Sequence, residues 1–274
     1  LTLANGDRMP MTDNVKMMFE VETLKNASPA TVSRAGIIYL SDVELDWEAM
    51  YMSWVAKRPE DQRAILTTLG AKWLGKCDPI DPGIAFSFLA RNTKPMIATG
   101  RMAILQAMLT LIDGLTLEGG DPIQTAVNIE AVGSLDVAIE KIFIMAFTWS
   151  FGALLESDDR MKLNEWMQTI DKTHMPEGDV FEYKLDHATC DWTAWTAPVW
   201  KYPEGDTLDF ASILIPTVDA ERTMYLIKQA HKQKKGALLI GNAGTAKTAT
   251  VSMFLASLDM LTRTVNYSFA TTMF

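Results

Sequence analysis

An α/β fold is predicted for this 274-residue chain, and three features predict it. Near the C-terminus the apolar run Ala237-Leu238-Leu239-Ile240 leads into Gly241-Asn242-Ala243-Gly244-Thr245-Ala246-Lys247-Thr248. Beyond it Val251, Phe254, Leu255 and Leu258 recur at helical spacing. A central block, residues 46–115, carries helical periodicity. The first forty residues alternate short β-rich runs with turn signals.

Composition sets the bounds. The length suits one large or two ordinary domains. A net charge of −9, with no Lys/Arg block to offset it, argues against a nucleic-acid-binding surface. The basic run at 228–235, which includes His231, is expected to be a solvated helix end. Two cysteines, Cys77 and Cys190, suggest a reducing compartment. No basic segment followed by an apolar core opens the chain, so no signal peptide is expected. The most apolar run, 142–155, is too short to span a membrane and contains Thr148 and Ser150; a buried helix is expected. The chain starts without methionine in the strand-like Leu1-Thr2-Leu3 and stops soon after another strand-like run, 264–269. Both ends are therefore expected to lie inside a longer chain.

The elements follow in order. Asn5-Gly6-Asp7 is a hairpin turn signal. Residues 16–21 are predicted to be a core strand and 37–40 another short strand. Between them Ser28 caps a helix and Pro29 supplies its first-turn φ. Arg34 ends that helix, where a cation suits the dipole. Helices are predicted at 63–73, 85–91 and 102–115, after a first one carrying Trp47, Met50, Tyr51 and Trp54 on one face. A long helix follows at 135–155, then one starting at Ser157. The aromatic-rich stretch 176–209 could stack bases or sugars, but its acidic setting favours a hairpin and loop packed on a neighbour. An amphipathic helix through Tyr225 and Ile227 precedes the glycine loop.

Strand, glycine loop and helix form the context of a phosphate-binding loop. Such a loop turns successive backbone N–H groups inward, and the helix N-terminus adds partial positive charge. Lys247 is then placed for β- and γ-phosphates, and the Thr248 hydroxyl for a Mg²⁺ ion. Ala246 stands where glycine is usual, and its methyl is expected to be tolerable if the residue keeps a helical φ. Ile215 and Val218 are candidates for the apolar wall of an adenine pocket. The loop lies so near Phe274 that no acidic Mg²⁺-positioning strand follows it, so the sequence alone is not expected to be a complete ATPase.

The strings Leu3-Ala4-Asn5-Gly6-Asp7-Arg8-Met9-Pro10, Phe19-Glu20-Val21, Ala27-Ser28-Pro29-Ala30-Thr31-Val32-Ser33-Arg34-Ala35-Gly36, Ile215-Pro216-Thr217-Val218-Asp219 and Gly241 to Thr248 together resemble dynein heavy chains. The resemblance covers nearly the whole chain and fits the junction of the second and third AAA+ modules of the motor ring. It implies AAA+ P-loop modules, each a parallel-sheet large domain plus an all-helical small domain. Residues 1–45 would be the last strands of the second large domain, 46–133 its helical small domain, and 134–274 the start of the third module. It also makes Ala246 ordinary for the third module and Arg34 an arginine finger toward the first module's site. Thr23 falls where the hydrolysing module of the family has asparagine. ATP or ADP with Mg²⁺ is the implied ligand. Implied partners are neighbouring modules of the same heavy chain, intermediate and light chains, and a microtubule reached through a stalk outside these residues. No nucleic acid or membrane is implied. The aromatic insert resembles axonemal, outer-arm chains, which implies a ciliary or flagellar axoneme. The rival expectations are a ring segment holding nucleotide statically or not at all, and a non-motor remodeller of the same superfamily.

Overall fold

A computed structural model describes residues 6–8, 10, 12–39, 47–75, 83–116, 127–201 and 213–258. Two units divide the chain, residues 1–44 and 45–274.

In the N-terminal unit, Gly6 takes φ 89°, as a tight turn at Asn5-Gly6-Asp7 requires, although part of the expected hairpin lies outside the described residues. Helix α1, Pro29–Arg34, starts as predicted: Ser28 Oγ accepts a hydrogen bond from Thr31 N at 3.2 Å. The strands predicted at 16–21 and 37–40 are not formed among the described residues. Residues 15–21 take no regular secondary structure and are exposed, with Met18 at 96% and Phe19 at 77%. An extended run becomes a core strand only when neighbouring strands pair its N–H and C=O groups. No described segment does so here.

The second unit is helical. Helices α2 (Trp47–Val55), α3 (Glu60–Trp73), α4 (Ile84–Asn92) and α5 (Arg101–Thr116) match the predicted block. Helix α6, Leu135–Phe151, is shorter than predicted because Gly152 ends it. Its residues 142–151 are all buried, which accounts for the apolar run without a membrane. No described helix is long and apolar enough to cross one. Helix α7, Ser157–Ile170, follows. One continuous core runs from Trp47 to Trp195, with the Phe147 ring 5.4 Å from Trp73 and 4.1 Å from Phe151. The polar edge is pinned by Arg58, which donates to Asp113 Oδ1 at 2.9 Å and Thr116 Oγ1 at 2.6 Å. That clips the turn after α2 to the end of α5.

The aromatic stretch is a hairpin packed on its neighbours, as expected. Strands β1 (Tyr183–Leu185) and β2 (Trp192–Ala194) pair antiparallel, Lys184 opposite Thr193. They form the one sheet among the described residues, so the predicted parallel sheet is not seen in them. Phe181 meets Trp149 edge-on at 5.5 Å, and Trp192 Nε1 donates to His174 O at 2.7 Å. Gly152 lies under this contact: a Cβ there would overlap the Phe181 ring and approach Thr148 O to 2.7 Å. Gly152→Ala should therefore cost about 1–3 kcal/mol through overpacking. Thermal unfolding of the intact protein checks this, an unchanged midpoint being the contrary result.

Helix α8, Val218–Lys232, is capped by Thr217, whose hydroxyl accepts from Ala220 N at 3.1 Å. It packs on α5 with one side and on helix α9, Lys247–Ala256, with another. Trp195 stands edge-on to Tyr225 of α8 at 5.3 Å, so the hairpin also braces this helix. The strand-like run at 264–269 and Cys77 lie outside the described residues, while Cys190 is a buried free thiol.

Candidate functional site

The glycine loop sits between an irregular approach and α9. Residues 235–242 take no regular secondary structure, and the buried strand predicted at 237–240 is not formed: Leu238 is 82% exposed. The same physical reason applies as at residues 16–21. The helix beyond the loop is formed, and its predicted apolar face is used through Phe254, Leu255 and Leu258, with Met253 rather than Val251 beside them. Phe254 is buried against Met224 and Ile227 of α8, with Leu255 and Leu258 packed at the edge. The His231 ring stands edge-on to Phe254 at 5.7 Å. The predicted basic helix end is there too, His231 and Lys232 filling the last turn of α8.

The loop closes on itself around Lys247. Its Nζ donates to Gly241 O at 2.8 Å, to Asn242 O at 2.6 Å and to Thr245 Oγ1 at 3.2 Å. Thr245 Oγ1 in turn donates to Asn242 O at 2.8 Å. A Cβ on Gly241 would come within 2.9 Å of Thr245 Oγ1, so a side chain there would push on the hydroxyl that closes the loop. Gly244 takes φ 81°. Ala246 takes φ 56°, ψ 17°, a left-handed conformation and not the helical one expected from its sequence position. The turn into α9 demands that sign of φ, and the alanine adopts it against its own preference. Ala246 O accepts from Thr250 N at 2.9 Å, closing the first helical turn. The first N–H groups of any helix have no partner within it, and the first turn of α9 holds no acidic residue. An ammonium and a helix N-terminus thus gather positive potential at one place in the loop.

The other predicted residues are placed as follows. Thr248 is exposed in the first turn of α9 beside Lys247. Asn242, Ala243 and Thr245 are exposed loop residues. Ile215 is 57% exposed in the segment ahead of α8, and Val218 packs against the helical core from the first turn of that helix. Arg34 is exposed at the last residue of α1, in the N-terminal unit.

One ionic cluster was not legible in the sequence. Lys72 Nζ of α3 bridges Glu140 Oε1 of α6 at 2.5 Å and Asp171 Oδ2, just past α7, at 2.7 Å; His174 Nδ1 lies 2.7 Å from the same Asp171 oxygen. Glu140, Asp171 and His174 have the donor types of a metal site, but the Lys72 ammonium already supplies the cation between the carboxylates. Burial alone would push the Asp171 carboxyl up; hydrogen bonds involving Glu140, Lys72 and His174 outweigh it and hold the group below the usual range. Burial, with Asp171 alongside, pushes Glu140 the other way. The members are up to 102 positions apart (174 − 72), and no local signal joins them.

A loop of this build on a helix N-terminus defines a P-loop protein. The comparisons carry the assignment further. The family described as "P-loop containing dynein motor region" matches residues 200–274, and "Dynein heavy chain AAA lid domain" matches residues 80–197. The chain belongs to the dynein heavy-chain family. It is 35% identical to "Dynein gamma chain, flagellar outer arm" of Chlamydomonas reinhardtii over 99% of its length, covering 6% of that protein. It is 34% identical to human "Dynein axonemal heavy chain 8", with 99% and 6% covered, and 35% identical to rat "Dynein axonemal heavy chain 5", with 99% and 8% covered. The chain therefore spans less than a tenth of the length of these relatives.

Proposed function

We propose that residues 241–248 bind ATP or ADP with Mg²⁺ as the third-module site of an axonemal dynein motor ring, and that nucleotide there regulates the ring. The observation that carries the reading is the Lys247 ammonium, drawn to Gly241 O and Asn242 O at the mouth of the α9 N-terminus. From there it reaches the β- and γ-phosphates, while loop amides take the remaining oxygens. The donor set fits the metal as well: Thr248 offers a hydroxyl, the ligand type a P-loop gives to Mg²⁺. Bound Mg²⁺ would share the negative charge of the phosphates. Ile215 and Val218 would wall the adenine.

On this reading residues 1–45 and 46–133 complete the second module, and 134–274 open the third. The shared core of α5 and α6 then ties one module's small domain to the next module's first helices. Arg34 would serve the neighbouring first-module site as an arginine finger. Ring packing would carry the response toward a stalk and the microtubule, by rigid-body movement of modules. Intermediate and light chains would be the further subunits, and a ciliary or flagellar axoneme the location; the names of the relatives support the location.

Thr248→Ala tests the metal assignment. In the intact heavy chain it should weaken binding of ADP with Mg²⁺ at this loop about tenfold, the worth of one strong polar contact. Binding measured in EDTA should be unchanged. Equal loss in both conditions would contradict the Mg²⁺ role.

A further inference from the structure

We infer that Ala246 sets how tightly this loop holds a nucleotide, by making the binding-competent loop a strained conformation; the inference rests on the phosphate-loop reading above. Residue 246 is left-handed at φ 56°, ψ 17°, and Gly244, two residues earlier, at φ 81°. The pair turns the chain so that Lys247 Nζ meets Gly241 O and Asn242 O and α9 points its N-terminus into the loop. Glycine occupies left-handed space freely, and alanine does not. Alanine is also the best helix former. Its relaxed alternative is a right-handed residue 246, which would lengthen α9 backward by one residue and re-aim the Thr245 and Lys247 amides.

Nothing at the side chain opposes that alternative. Ala246 is exposed, and its methyl group offers α9 no side-chain cap. The left-handed form is held by the loop's own bonds: Lys247 Nζ to two carbonyls and Thr245 Oγ1 to Asn242 O. A ligand that needs the cup pays, in apparent affinity, for the fraction of molecules not already in it. Alanine makes that fraction larger than glycine would. The methyl group is thus an affinity setting that favours exchange over tight retention.

The test uses the intact heavy chain, ADP with Mg²⁺ as the probe, and site-resolved occupancy at this loop across an ADP series. Ala246→Gly should lower the half-saturating ADP concentration, by up to about 5–10-fold, the left-handed penalty for alanine setting the upper bound. Ala246→Val, β-branched and costlier in this conformation, should raise it. Both should leave the thermal midpoint of the helical core unchanged, since Ala246 is exposed and not part of that core. Unchanged or weaker binding by Ala246→Gly overturns the inference. Lys247→Ala is run beside them. If it too keeps full occupancy, the phosphate-loop reading itself has failed; if only Lys247→Ala loses nucleotide, the failure belongs to the strain argument alone.

Discussion

Arg34→Ala is expected to slow ATP hydrolysis by the intact motor about a thousandfold, the lower end of what an arginine finger contributes. The size follows from charge. In phosphoryl transfer negative charge spreads over the oxygens of the transferred group, and a guanidinium presented from outside offsets it when it matters most. Arg34 suits presentation outward. It closes the short helix α1, whose start is fixed by Ser28 and Pro29, and its side chain is exposed rather than spent on packing. The fold should therefore survive the substitution, with an unchanged unfolding midpoint beside the lost rate. Steady-state ATPase rates with and without microtubules measure it. A full-rate variant would remove the finger role and leave Arg34 as an ordinary cation at a helix end.

Lys247→Ala has the next largest expected effect: at least a hundredfold loss of ATP and ADP affinity at this loop. Two hydrogen bonds from an ammonium to phosphate oxygens, at roughly 1.5–3 kcal/mol each, account for it. The same change removes the bonds to Gly241 O, Asn242 O and Thr245 Oγ1, so the loop loses its closure too. Anchoring of α9 is separate, through Phe254 on Met224 and Ile227, and should persist. A variant that keeps wild-type occupancy would exclude Lys247 as a phosphate ligand.

The sequence carried the helices and the loop because both are written locally. Apolar spacing placed α2 to α9, and the cap at Ser28 is a single-residue signal; the end of α6 at Gly152 was missed, because the apolar run continues past it. The strand expectations failed as strands because β structure is a property of pairs: Lys16 to Val21 and Ala237 to Ile240 have strand composition, but no described segment bonds to them. The left-handed φ of Ala246 was missed for a related reason. Composition permits a helical alanine, and only the closed loop forces the other sign. The Lys72, Glu140, Asp171 and His174 cluster assembles from two helices and the segment that follows a third, so no motif announces it. The hairpin fell between these cases: its aromatic content gave the packing, and its register came only with the pairing of Lys184 and Thr193.

The central claim is that the loop around Lys247 is a nucleotide site. Its most direct test is a density map of the intact motor at saturating ADP and Mg²⁺. The account predicts a diphosphate in the cup, its oxygens facing the amides of residues 244–248 and the Lys247 ammonium. A cup that stays empty at saturation, or a loop whose amides face away from it, would contradict the account.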